Sequence, residues 1–225
     1  MAPSRPAGNA GVRVNVGCGA SPTPGWLNFD NSVAVRAANW PLAMQTLRQA
    51  RILNEHSWEF VRVAKRENVR FANATVRIPC ADDSAEVVYS SHMIEHLDRR
   101  EAQAFLLEVQ RILRPGGIVR IAAPDLARFA EDYSTTGDAD EFIASTHMGL
   151  ARPVGMLSRA KWALIGPRHH LWMYDGLSLS KLVSDAGFVD VMIMPAGKTN
   201  ISDPGSLDLE ERANESVYVE AAQPE

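Results

Sequence analysis

VRVNVGCGASPTPGWLNFDN, residues 12–31, is the stretch on which the fold turns. An apolar run, VRVNV at 12–16, ends in Gly17-Cys18-Gly19. The chain turns through Pro22 and Pro24, and a second apolar run, WLNF at 26–29, ends on Asp30. The first run reads as a buried strand and the second as a short neighbouring one. A glycine pair at a strand end lets the backbone turn sharply and come close to a ligand. An acid at the end of the next strand can accept hydrogen bonds from both hydroxyls of a ribose. Gly17, Gly19 and Asp30 together therefore suggest an adenosine-binding corner, with a tight turn and a solvated Asp as the plain alternative. The dinucleotide fingerprint fits poorly, since it wants a third glycine and an acid ~20 residues on. Here the third glycine is missing and Asp30 comes only thirteen residues after Gly17. The two prolines leave little room for a crossover helix whose N-terminus would hold a pyrophosphate. A cofactor without phosphates is the better match.

Outward from this corner, strand and helix patterns alternate. Helical spacing appears at 41–52 and at 55–67, the second through Trp58, Val61 and Ala64. VRFA at 69–72 and EVVYSS at 86–91 read as strands three and four. Residues 99–113 form an amphipathic helix with Phe105, Leu106, Val109, Ile112 and Leu113 on one face. Arg114-Pro115-Gly116-Gly117 stops it. IVRIAA at 118–123 is a fifth strand, and Asp125 caps the segment after it. Residues 125–170 are mostly helix and loop. A helix spans 176–186, and 189–194 and 217–222 are two late strands. This order predicts an α/β sandwich with a mostly parallel seven-stranded sheet and an antiparallel edge strand. Ligands of such sheets bind beyond the carboxyl ends of the strands. The expected organisation is a flexible tail over 1–11 and a single domain over 12–225. That domain carries a helical insertion at about 32–68 and a helical cap at about 125–175.

The chain has 225 residues, enough for one domain with a well-buried core. A net charge of −4 supplies no pull toward nucleic acid or an anionic membrane. The two cysteines, Cys18 and Cys80, give neither a disulfide framework nor metal-ligand spacing, and suit a reducing cytosol. With no apolar core of a signal peptide at 1–11 and no run of ~18 apolar residues, a cytoplasmic protein without a membrane span is expected.

Five segments carry a family likeness: VNVGCG at 14–19, GWLNFD at 25–30, IPCADDSAEVVYSSHMIEHL at 78–97, LRPGGIVRIAAPDL at 113–126 and WMYDGLSLSKLVSDAGF at 172–188. In this order they resemble the class I S-adenosylmethionine-dependent methyltransferases, in the small bacterial group close to the "type 11" domain. The resemblance implies a Rossmann-like sandwich and S-adenosylmethionine as cofactor, with S-adenosylhomocysteine as product. Gly17, Cys18 and Gly19 would then pass the methionine part, while Asp30 and Asn31 meet the ribose. Asn73 or Ala74 would lie near the adenine amino group, and Ser90 and Ser91 beside the sulfonium. Two departures stand out. Position 73 lacks the usual acid, and the 32–68 insertion is long; it could cover the site or make a subunit contact.

Methyl transfer from a sulfonium needs mainly an acceptor held in line. A hydroxyl acceptor gains a further ~10²–10⁴-fold from a general base, and histidine is the side chain most easily tuned for that. Of the six histidines, His170 and His147 stand in the cap region. His92 closes the fourth strand, where the other reading is a hydrogen bond that fixes the loop. His96 reads as structural or cofactor-supporting, and His56 as a surface residue. Asp125 with His147 or His170 could hold a divalent ion, yet no ligand spacing demands one, and no metal residue is assigned. Trp162, Trp172 and Tyr174 could stack on a sugar ring or belong to the cap's own core. The favoured function is O-methylation of a saccharide or other small molecule. An N- or carboxyl-methyltransferase and a non-catalytic cofactor-binding module are the alternatives. Nucleic-acid methylation is disfavoured, because SSHM stands where amino-methylating enzymes carry Asp/Asn-Pro-Pro-Tyr/Phe. The 32–68 insertion and the apolar run at 148–166 suggest a homodimer.

Overall fold

Three residues of the opening stretch sit at the centre of the molecule. Val14 is fully buried, and Asn15 and Val16 nearly so, with strands on both sides. The computed structural model describes residues 11–32, 35–36, 55–149, 155 and 169–225. Among these, β1 (Val12–Val16) pairs in parallel with β2 (Leu27–Asp30), which pairs with β3 (Arg70–Phe71). On its other side β1 pairs in parallel with β4 (Ala85–Ser91), and β4 with β5 (Leu113–Pro124). The late strands β6 (Val189–Met194) and β7 (Ser216–Ala222) finish the sheet, whose order is β3-β2-β1-β4-β5-β7-β6. The mostly parallel seven-stranded sheet is as expected. Its antiparallel end is made by β7, which lies between β5 and β6 and opposes both.

Among the described residues the helices are α1 (Glu55–Arg66), α2 (Arg99–Ile112), α3 (Leu126–Thr136), α4 (Ala139–Ser145) and α5 (Gly176–Asp185). Capping explains where α2 begins. The Asp98 carboxylate accepts from the N–H groups of Arg100 and Glu101, and the Glu101 side chain accepts from Asp98 N–H. Its apolar face, Phe105, Leu106, Val109 and Ile112, is wholly buried against the sheet with Leu179 and Val183 of α5.

One boundary differs from expectation. The fifth strand begins at Leu113, which pairs with Ala85; the register then shifts before Ile118 pairs with Val87. The Pro-Gly-Gly segment thus bulges within the strand. Gly117 needs its missing side chain there, because a Cβ would lie 2.9 Å from the Arg114 carbonyl.

The connection from β1 to β2 contains no helix, as the prolines implied. Side-chain amides hold it instead: Asn15 Nδ2 donates to Thr23 Oγ1, and Asn28 Oδ1 accepts from Thr23 N–H. The segment between β6 and β7 folds over the opposite face of the sheet, packing Ile201 and Leu207 on Val87 and Tyr89. The predicted helix at 41–52, the tail at 1–10, Trp162 and most of the apolar run at 148–166 lie outside the described residues. So do the side chains of His56 and Trp58. No helix among the described residues is long and apolar enough to cross a membrane.

Candidate active site

Strand order reverses between β1 and β4, so a crevice opens beyond their carboxyl ends. The glycine loop enters it from β1. Gly17 and Cys18 both donate to the Phe29 carbonyl, which ties the loop to β2. Gly17 and Gly19 have φ of +70° and +48°, in the left-handed region that favours glycine. Their surroundings differ. A Cβ on Gly17 would lie 2.4 Å from Met93 Cγ, whereas one on Gly19 would meet nothing within 4 Å. The open space is thus at Gly19. Asp30 faces it: one carboxylate oxygen accepts from Gly19 N–H at 3.0 Å, the other from Ser32 N–H at 2.8 Å. Each oxygen keeps a further lone pair for a ligand hydroxyl. Asn31 next to it is exposed. The corner proposed for an adenosine is therefore assembled, and its open glycine and spare acceptor capacity fit such a group.

The other expected cofactor residues are placed less simply. The Cys18 side chain packs with Val35, Ala64 and Val69, and burial pushes its thiol well above the usual range. Only its backbone can serve a ligand in the crevice. Asn73 is exposed and holds its own turn, its amide oxygen accepting from Thr75 N–H and Oγ1, while Ala74 is buried. Ser90 and Ser91 end β4, and neither hydroxyl has a partner among the described residues.

Beyond β4 stands a cluster of imidazoles. His92 has φ +48°, and both ring nitrogens are engaged: Nε2 with Ser216 Oγ at 2.9 Å, Nδ1 with Arg212 Nη1 at 3.2 Å. The Ser216 hydroxyl also lies 3.2 Å from the Glu211 carbonyl, which ties this contact to the β6–β7 connection. His92 thus makes the kind of hydrogen bond that holds the loop. His170 lies between His96 and His147, ring centroids 5.1 and 5.4 Å away. Burial lowers its pKa; the Glu95 charge opposes this, and His96 and His147 add to it.

Glu95 is the residue that sequence reasoning missed. It is 1% exposed, in a short 3-10 turn over Ile94–His96. Neither carboxylate oxygen has a hydrogen-bond partner among the described residues. Its Oε1 stands 3.5 Å from His92 Nδ1 and 4.0 Å from His170 Nε2. An acid inside a run that must pack, MIEHL, was the available signal. The ion-binding grouping weighed for Asp125 is not the one that forms. Asp125 caps α3 through Ala127 N–H, and Glu95, His96 and His170 come together instead. The aromatics divide: Tyr174 is fully buried core, whereas Trp172 is exposed beneath the Arg99 guanidinium. On the cap, an open concavity of about 390 Å³ is lined by Asp140, Ile143, Ala144, His147, Gly149 and His169.

A mostly parallel sheet with an antiparallel β7, and a glycine loop facing an acid at its switch point, define a class I methyltransferase fold. The family model described as "Methyltransferase domain" matches residues 14–121. That segment belongs to the family, and the protein is an S-adenosylmethionine-dependent methyltransferase acting on an acceptor substrate. Solved structures share the fold at low identity. One is a methyltransferase of Thermotoga maritima, a possible histamine N-methyltransferase, at 14% identity and TM-score 0.51, with 96% of this chain and 84% of that one covered. Another, from Methanosarcina mazei, gives 13%, 0.50, 95% and 92%. The CurJ carbon methyltransferase gives 11% and 0.50; this chain is covered over 98% of its length and spans 50% of that one. No curated protein matches the sequence.

Proposed function

We propose that the protein methylates a hydroxyl oxygen of a saccharide or other small molecule. The observation that carries this reading is a pair of cap imidazoles, His147 and His170, beside an open concavity to which His147 belongs. A hydroxyl must lose its proton to become a good nucleophile, and a neutral imidazole serves as the base. Burial keeps His170 in that neutral state, and a bound sulfonium would favour it further. A carboxylate acceptor, already ionised at neutral pH, has no such need.

In this reading the backbone of Gly17, Cys18 and Gly19 lies along the methionine part of S-adenosylmethionine, and Asp30 with Asn31 meets the ribose. Asn73 offers its amide NH₂, a donor suited to an adenine ring nitrogen, because its amide oxygen is already used within the turn. Ala74 adds apolar contact, and Ser90 and Ser91 flank the methyl group. Bound there, the cofactor supplies an electrophilic methyl carbon, and its sulfur keeps the electron pair of the broken C–S bond. The acceptor's proton passes to a cap imidazole, His147 or His170.

The test is methyl transfer from isotopically labelled cofactor to a panel of saccharides, small alcohols, amines and carboxylates. Product on hydroxyl oxygen is expected. Replacing the base, His147 or His170, by Ala should cut turnover ~10²–10⁴-fold while cofactor affinity barely moves. Near-normal turnover in both variants, or product on nitrogen alone, would overturn the reading.

A further inference from the structure

We infer that Glu95, His96 and His170 form a binding site for a divalent transition-metal ion. One oxygen of Glu95 and one ring nitrogen each of His96 and His170 lie within 4.8 Å of one another. Two imidazoles and one carboxylate are a donor set that suits zinc, manganese, cobalt or iron(II).

The geometry and burial make the case. His96 Nδ1 stands 3.1 Å from the His169 carbonyl, which can only accept, so this bond takes a proton from Nδ1. His170 Nδ1 lies 3.3 Å from the Met173 sulfur, and its Nε2 stands 4.0 Å from Glu95 Oε1. His92 Nδ1, the third nitrogen near Glu95, receives its proton contact from Arg212. The Glu95 carboxylate, with no hydrogen-bond partner among the described residues, therefore sits among three imidazoles. A buried carboxylate without a hydrogen bond is costly. A cation held between it and the imidazoles gives its oxygens a partner by coordination. The His96 bond to a backbone carbonyl also matches the way metal-ligating histidines are oriented, by donating their other N–H.

The site adjoins the glycine loop. Met93, two residues before Glu95, is the side chain against which Gly17 closes. Three protein ligands leave coordination positions open. Resting on the O-methylation reading, we assign one of them to the acceptor's hydroxyl oxygen. The ion raises the acidity of that hydroxyl. Its O–H bond breaks, the proton goes to the exposed His147 imidazole, and the electron pair left on oxygen takes the methyl group. His170 is then a ligand and His147 the base.

The binding test needs neither acceptor nor cofactor. The full-length protein is stripped with a chelator, dialysed and titrated with Co²⁺, followed by the visible d–d absorption. One ion per chain is expected. The isosteric Glu95→Gln and the surface variant His96→Ala should each weaken it at least 100-fold, while Asp125→Asn and His147→Ala retain it. Substoichiometric binding to the wild type, or equal affinity in His96→Ala, would overturn the site even if O-methyl product forms. Turnover that survives chelation unchanged would overturn its part in activation. A bound ion with no product on hydroxyl oxygen would instead count against the proposed function and leave the site standing.

Discussion

At the scale of single residues, the cofactor corner depends on groups that a motif treats alike and the structure separates. Gly17 and Gly19 carry equal weight in a Gly-x-Gly pattern. A side chain on Gly17 would strike Met93 beneath the loop, whereas Gly19 borders open space. Gly17→Val should therefore disturb the packing itself, and Gly19→Ala is the cleaner probe. It should leave a folded protein, less stable by about 1–2 kcal/mol for a left-handed Ala, with cofactor binding weakened. Asp30 is legible from sequence as a ribose acceptor, but its tie to Gly19 N–H is not, because only the folded loop brings them together. Asp30→Ala should weaken cofactor binding by about 1.5–3 kcal/mol, or roughly tenfold to over a hundredfold. Calorimetric titration with S-adenosylhomocysteine measures it, and unchanged affinity would remove Asp30 from the site. Glu95 shows the limit of reading residues one by one. Its environment is set by His170, 75 positions away, together with His92 and His96, and spacing along the chain does not announce a cluster closed by tertiary contact.

At the scale of elements, the central strands and α2 were readable because burial writes continuous apolar runs and a 3.6-residue stripe. Patterning does not show how α2 grips the loop before β4. Glu108 accepts from Arg111 Nε and Nη2 and from Ile78 N–H, while Arg111 donates to the Ile78 and Cys80 carbonyls and to Asp82. These contacts fasten IPCAD at 78–82, and hence the start of β4, whose far end carries Ser90, Ser91 and His92. The Arg111 guanidinium holds the Glu108 carboxyl below its ordinary pKa of 4.5. The folded state thus prefers the ionised carboxylate. Its contribution is present above the unfolded pKa and lost as pH falls through the folded one. Thermal melting followed from pH 6 down to pH 3 should show that loss, and Glu108→Gln should flatten it. An equally steep decline in the variant would assign the acid sensitivity elsewhere.

At the scale of the whole molecule, one buried ion pair joins the sheet to the segment that covers it. Arg120 of β5 and Glu220 of β7 stand opposite each other in the antiparallel register, 0% and 1% exposed. Arg120 Nη1 donates to Glu220 Oε1 at 2.7 Å and to the Lys198 carbonyl, and Nη2 donates to the Leu209 carbonyl. Glu220 accepts in turn from Thr199 Oγ1 and Asn200 N–H. The pair thereby anchors both ends of the β6–β7 connection, which delivers Glu211 to Tyr89 and Arg212 to His92. In the sequence each is a charge within an apolar strand, a pattern that reads as a solvated face. Only the insertion of β7 between β5 and β6 buries them together. Removing one partner strands the other charge in the interior, and such losses reach about 3–5 kcal/mol. Arg120→Met should therefore destabilise strongly, by an amount expected near 6–20 °C in melting temperature for a chain of this size. Arg120→Met with Glu220→Leu removes both charges and should recover much of that loss. The double variant still lacks the bonds to the 198–209 carbonyls, so Arg212 should be held less firmly and the His92 ring should exchange its contacts more readily. Histidine ring resonances in NMR report this directly. A double variant as unstable as the single one would mean that Arg120 acts through its carbonyl contacts alone. The β6–β7 connection would then be fastened without help from the pair.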